Sequence, residues 1–352
     1  MDRAFILSSS PHAHGGASSA RIMWTVSATL LPAAGWSVWL FGQAALTVLV
    51  STIAFSALFE AGSRFVARRP LTLHDGSAVL TGLLLALTLP PGLPLWICAV
   101  GAFVAIVVAK AVFGGLGQNP FNPALTGRVF LLIAFPAPLT SWLVPRGTGE
   151  FLFDQPVTAH DAAGNIVSLA AGQVDAVTAA TPLGLLAERG AHAVAALGDG
   201  LAVFWGQING SLGETSALLL LLGGVALLAL RIITWHIPLS FMATVALLAL
   251  VTSGVDDAVY VGPVFHLFTG GVMIGAFFMA TDYVTSPMHP AGKLIFGAGC
   301  GVLTMVIRLW AGYPEGVSFA VLIMNACVPI IDRFTRPRKF GLRGPADARG
   351  GR

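Results

Sequence analysis

The sequence predicts an all-α, polytopic membrane protein: about ten transmembrane helices in two inverted five-helix repeats, with one extracytoplasmic loop. Three observations lead there. Only 10% of the 352 residues are charged and 56% are hydrophobic, whereas soluble domains carry about 25% charged residues. A soluble chain of this length could not cover its surface with so few charges, which excludes a cytosolic enzyme, a nucleic-acid binder and a disordered protein. Apolar runs of near-spanning length recur along the chain, and basic residues gather in alternate loops.

A mostly polar segment, residues 1–21, comes first and lacks the pattern of a signal peptide. Apolar runs follow at about 22–41, 43–61, 77–90, 95–114 and 124–144, forming a first repeat over 22–144. The third run is short and ends in Leu89-Pro90-Pro91, so it is either a half-helix or a tilted span. The loop 145–213 is rich in Ala, Gly and Asp and shows no strand pattern. A short helix is expected at its Thr181-Pro-Leu-Gly-Leu-Leu-Ala-Glu stretch, with Thr181 as N-cap and Pro182 at the first helical position. Runs at about 215–235, 238–255, 262–281, 291–310 and 315–332 make the second repeat, 214–333, and a basic tail, 334–352, closes the chain.

Ten spans place both termini on one side. With that side cytoplasmic, 16 of the 19 basic residues lie inside and ten of the 16 acidic residues lie outside. This count places Arg128 inside, and Arg146, Arg189 and Arg308 outside. The repeat rests on the likeness of Ala86-Leu-Thr-Leu-Pro-Pro-Gly-Leu-Pro94 to Ala280-Thr-Asp-Tyr-Val-Thr-Ser-Pro-Met-His-Pro290, each followed by an apolar span and a Gly-rich break. Five spans is an odd number, so the halves invert, as in transporter folds with a site near the midplane.

Ionisable residues near the spans are Glu60, His74, Asp75, Lys110, Arg128, Arg231, His266, Asp282, Arg308 and Asp332. Only His266 falls clearly inside a run, and most of the rest lie within a turn or two of a span end, where side chains can snorkel to water. Asp282 and Glu60 are the candidates for ion coupling. Asn119-Pro120 and Asn122-Pro123 are expected to form turns, with Asn capping the next helix; a stretch lining a second flavin or ion site is the alternative. Gly271-x-x-x-Gly275 and Gly297-x-x-x-Gly301 permit close helix packing, against this chain or a partner. Cys98, Cys300 and Cys327 fit no metal or disulfide spacing.

Ser9-Ser-Pro-His, Arg21-Ile-Met-Trp, Gly117-Gln-Asn-Pro-Phe-Asn-Pro-Ala, Ala280-Thr-Asp, the run from Gly292-Lys-Leu-Ile-Phe-Gly to Gly312-Tyr-Pro-Glu-Gly-Val-Ser-Phe, and Pro329-Ile-Ile-Asp with Pro337-Arg together carry a resemblance over nearly the full length. The chain resembles the D-type subunit of Rnf electron-transport complexes, within the NqrB/RnfD family of ion-translocating oxidoreductases. In that family a Thr in Asp-x-x-(Ser/Thr)-Gly-Ala-Thr bears FMN through a phosphoester. The resemblance therefore implies covalent FMN on Thr181, with Asp175, Thr178 and Ala180 matching the motif and Ala179 standing where Gly is usual. It also implies attachment by a flavin transferase outside the membrane and a second, non-covalent flavin such as riboflavin. Implied partners are a second covalent-FMN subunit and iron–sulfur subunits, and the implied location is a bacterial inner membrane with cytoplasmic termini. Two alternatives stand: the B-type subunit of a sodium-pumping NADH:quinone reductase, and a flavin-free channel or transporter of similar fold. Neither Na⁺ nor H⁺ is favoured as the coupling ion.

Overall fold

The computed structural model describes residues 18–143, 157–160, 166–169, 181–189, 204, 210–256, 259–311 and 315–336. Its membrane part is helical. Helix α1 (Ser19–Phe41) starts where the Ser18 hydroxyl accepts the Arg21 N–H, and it ends at Gly42, whose φ of 63° turns the chain into α2 (Gln43–Val66). Asp75 accepts the Ser77 N–H at 2.8 Å and opens α3 (Ser77–Leu87). This helix is apolar on nearly every face and largely buried, as expected of a helix enclosed by others. It stops at Thr88, ahead of the two prolines, and is the half-helix alternative anticipated for the third run.

Helix α4 (Leu95–Phe103) continues as a π-helix over Val104–Ala111, and α5 (Pro123–Ala134) runs into the four-residue α6 (Pro136–Leu139). In the loop a short antiparallel pair, β1 (Val157–His160) with β2 (Ile166–Leu169), corrects the expectation of no strands. Four residues per strand are too few for alternation to stand out in an Ala- and Gly-rich context. Helix α7 (Pro182–Arg189) lies where the sequence placed it. Helices α8 (Ala217–Ala229) and α9 (His236–Val255) follow. The eighth run is not one helix. It comprises α10 (Pro263–Phe268), a break at residues 269–271, and α11 (Val272–Ile274) continuing as a π-helix over Gly275–Met279. Helices α12 (Pro290–Trp310) and α13 (Val317–Thr335) complete the bundle.

Helices α2, α9, α12 and α13 are long and apolar enough to cross a membrane, and Ser77–Leu87, Leu95–Ala111, Pro123–Ala134 and Ala217–Ala229 are shorter apolar helices. At about 1.5 Å per residue Ser77–Leu87, Pro123–Ala134 and Ala217–Ala229 cannot span a core about 30 Å thick by themselves. Their ends therefore fall at depth, where freed backbone groups must face protein or water-filled space. Hydroxyls inside the helices bond to carbonyls one turn back, as Thr81 does to Ser77 and Thr126 to Asn122.

Glycines set the spacing between helices. A Cβ on Gly297 would lie 2.7 Å from the Ile237 carbonyl oxygen, and one on Gly301 2.9 Å from that of Phe241. The Gly297/Gly301 pair thus packs against α9 of this same chain, which settles that motif's partner. Cys98 and Cys300 are buried and Cys327 half-buried, all as free thiols.

Candidate functional site

Among the cavities formed by the described residues, two frame the site. The smaller, about 240 Å³, is lined by Thr181, Pro182, Leu183, Glu214, Thr269, Gly270 and Glu315. Thr181 caps α7, its Oγ1 accepting the Gly184 N–H at 3.0 Å, and the residue is buried. Leu183 packs with Phe265 of α10 and fastens this helix end to the bundle. Gly270 is held between the two parts: at φ +65° a Cβ there would meet Leu183 Cδ1 and Arg308 Nη2, each at 2.7 Å. Asp175, Thr178 and Ala180 lie outside the described residues.

Beside this cavity sits a buried cluster that sequence reasoning missed. The Arg128 guanidinium pairs with Glu315 and, at 4.0 Å, with Glu214, and it approaches the Ser211 hydroxyl at 3.5 Å. Arg308 donates to the carbonyls of His266 (2.7 Å) and Thr269 (2.8 Å). Arg128 and Arg308 are 4% and 7% exposed. This overturns two expectations. Arg128 does not belong with the basic residues at the far membrane face; it joins carboxylates from the loops assigned to the opposite side. Nor do Glu60, Lys110, Arg128 and Arg308 snorkel: they are buried and paired or hydrogen-bonded in the interior, as buried charges must be, whereas His74 and Arg231 are exposed as expected. The missed signal was balance: Glu214 and Glu315 stand at the starts of apolar spans and match the two arginines within spans.

The larger cavity, about 780 Å³, is a cleft lined mostly by apolar residues of α1, α3 and the Gly275–Met279 π-helix. Its polar lining includes Ser77, Lys110, Asn119, Asn122, Thr281 and Asp282. Asn122 is the cap expected for α5, its Oδ1 accepting from Ala124 and Leu125 N–H, while its Nδ2 donates to the Met279 carbonyl at 3.2 Å. The capping reading of this motif therefore holds for Asn122, and Asn119 and Asn122 also line the cleft. Lys110 Nζ lies 3.1 Å from Glu60 Oε2 and donates to Ser77 Oγ at 2.8 Å. Glu60 also meets Arg64 Nε at 3.5 Å and the Thr72 hydroxyl at 3.1 Å. Asp282 accepts from the Thr285 hydroxyl (3.0 Å) and the Val284 N–H (3.4 Å), and among the described residues it has no ion pair. Burial pushes its carboxyl above the usual carboxylate range, against the pull of those hydrogen bonds. His266 is fully buried, with neither ring nitrogen hydrogen-bonded.

Fold and site together define a multi-pass membrane protein in which broken helices bring buried charges to the ends of two cavities. Residues 6–341 match the model of the NQR2, RnfD, RnfE family. The chain is 44% identical over 344 residues to the D-type subunit of the proton-translocating ferredoxin:NAD(+) oxidoreductase complex of Clostridium ljungdahlii, covering 96% of this chain and 97% of that protein. It is 47% identical over 333 residues to the D-type subunit of the ion-translocating oxidoreductase complex of Stutzerimonas stutzeri, covering 91% and 92%. It is 42% identical over 338 residues to the D-type subunit of the Na(+)-translocating ferredoxin:NAD(+) oxidoreductase complex of Acetobacterium woodii, covering 96% and 95%. The chain belongs to the NQR2, RnfD, RnfE family.

Proposed function

We propose that the chain is the D-type membrane subunit of an ion-translocating ferredoxin:NAD oxidoreductase complex, carrying covalent FMN on Thr181 and relaying electrons in step with ion passage. The observation that carries this is the placement of Thr181, a helix N-cap that lines a cavity together with Glu214, Thr269, Gly270 and Glu315. The relatives' names agree with the subunit and the complex, and they include both a proton- and a sodium-translocating complex.

The residues around Thr181 suit a phosphoester. The Gly184 N–H already points at Oγ1, and the first turn of α7 presents N–H groups that favour negative charge. Glu214 and Glu315 would repel a phosphate if unpaired, but Arg128 pairs with both. Bound flavin supplies one- and two-electron transfer. The chain's part is to hold it near the outer face, with the 145–213 loop outside and both termini in the cytoplasm of a bacterial cell.

A second, non-covalent flavin would occupy the larger cleft, which is mainly apolar and edged by a few polar groups. Lys110, Asn119 and Asn122 would supply its polar contacts. Asp282, on the same cleft and without a cationic partner among the described residues, is the carboxylate that would take up the ion; Glu60, held by Lys110 and Arg64, is the less available one. The inverted repeat is supported by the interruptions after α3 and α10, in corresponding third spans of the two halves. Partners on this reading are a second covalent-FMN subunit, iron–sulfur subunits and the flavin transferase. In-gel flavin fluorescence of the denatured chain tests the anchor: it should vanish in Thr181→Ala, and unchanged fluorescence would sink the assignment.

A further inference from the structure

We propose that Arg128 is a charged plug that keeps cations from leaking between the two cavities, a role that rests on the proposed passage of an ion through this chain. The cavities approach each other across one turn of α5. Ala124 lines the larger cleft, and Arg128, four residues on, lines a further cavity of about 250 Å³. Four residues correspond to about 6 Å of helix rise. The wall at that point contains the Asn122 side chain bonded to the Met279 carbonyl. The cavity holding Arg128 shares Glu214 and Glu315 with the one that Thr181 lines. Asp282, Asn122, Arg128, the two glutamates and Thr181 therefore mark one course through the bundle, and Arg128 stands in its middle.

A guanidinium cannot shed its proton in a protein, so it confronts an approaching cation with a permanent like charge at low dielectric. Fixed arginines exclude cations from membrane pores in this way. Arg128 pairs with Glu315, Glu214 Oε1 lies 4.0 Å away, and Glu315 Oε1 is buried without a hydrogen-bond partner. The carboxylates therefore have capacity left for a cation whenever the guanidinium swings aside. A purely structural ion pair would leave the fold equally tight to ions with any neutral replacement that preserves folding.

The test uses the whole complex reconstituted in liposomes, without electron donor, with passive entry followed by radioactive sodium and by a pH-sensitive dye. In Arg128→Gln, entry of sodium or protons should rise about tenfold or more, the effect of removing a like charge from a low-dielectric passage. Arg128→Lys should remain as tight as wild type. Because Arg128→Gln leaves two glutamates facing each other, the double variant Arg128→Gln/Glu315→Gln is measured beside it; it keeps Arg308 and Glu214 in balance and should leak as well. Assembly is checked by the ratio of subunits recovered and by flavin bound to the denatured chain. Assembled single and double variants that both stay tight would overturn the plug. Pumping in Asp282→Asn separates the two ideas. Tight Arg128 variants together with an uncoupled Asp282→Asn refute the plug alone, whereas full pumping in Asp282→Asn refutes ion passage past this cleft.

Discussion

Replacing Lys110 by Met should destabilise the bundle far more than removing the charge pair to which it belongs. Lys110 and Glu60 are each 2% exposed, with Nζ 3.1 Å from Oε2. At an effective dielectric of about 20 the attraction at that distance is roughly 5 kcal/mol, and desolvation of both ions offsets most of it. The Met side chain fills the space of the lysine stem but leaves Glu60 buried without its nearer cation, and breaking a buried pair on one side costs about 3–5 kcal/mol. Arg64 Nε at 3.5 Å and the Thr72 hydroxyl at 3.1 Å soften this, which puts the expected loss near the lower end, at about 3 kcal/mol. The double variant Glu60→Gln/Lys110→Met removes both charges and should fall within about 1 kcal/mol of wild type. Thermal unfolding of the purified protein, followed through Trp fluorescence, gives the comparison; the single variant should melt roughly 4 °C lower, with most of that recovered in the double. A Lys110→Met protein as stable as the double, or a double whose loss is the sum of the two singles, would refute the account of this pair.

Gly270→Ala should loosen α7 from the bundle. Alanine at φ +65° costs about 1–2 kcal/mol, and its methyl would press on Leu183 and Arg308. Protease should then cut near Thr181 faster, and an unchanged cutting rate would contradict this placement of Gly270. Thr181→Asn retains a side-chain cap without a hydroxyl, so it should lose flavin while resisting protease like wild type. Thr181→Ala should lose both flavin and about 1 kcal/mol of local stability. For Asp282 the folded-state pKa is raised, so the neutral carboxyl is the tolerated form. Its contribution to stability is full below the unfolded carboxylate range and is lost as pH rises through the raised value. Ion uptake needs the carboxylate, so ion affinity should increase with pH over that same window, and Asp282→Asn should flatten the dependence.

Most of the helical positions were legible because a membrane imposes one strong pattern, an apolar run ended by Pro, Gly or charge. The α7 start was legible from Thr181-Pro182 alone, and so were the Asn122 cap and the early end of α3 before Pro90-Pro91. The break at residues 269–271 was not, since Phe268-Thr-Gly-Gly-Val is apolar enough to pass within a continuous span. Hydropathy also hid the pairing of charges. It treats Lys110, Arg128 and Arg308 as penalties to be explained by nearness to water, whereas their partners Glu60, Glu214, Glu315 and the His266 and Thr269 carbonyls come from segments distant in the chain. Side assignment by charge count failed for Arg128 for the same reason: a guanidinium on a short, deep helix belongs to whichever carboxylates it reaches.

The central claim, that Thr181 carries the flavin, is tested most directly by mass analysis of the peptide containing Thr181 from protein isolated with its native complex. The account predicts that peptide heavier by one FMN joined through a phosphoester, with fragmentation placing the group on Thr181 and not on Thr178. An unmodified Thr181 peptide from flavin-bearing complex, or a flavin mapped to another residue, would contradict it.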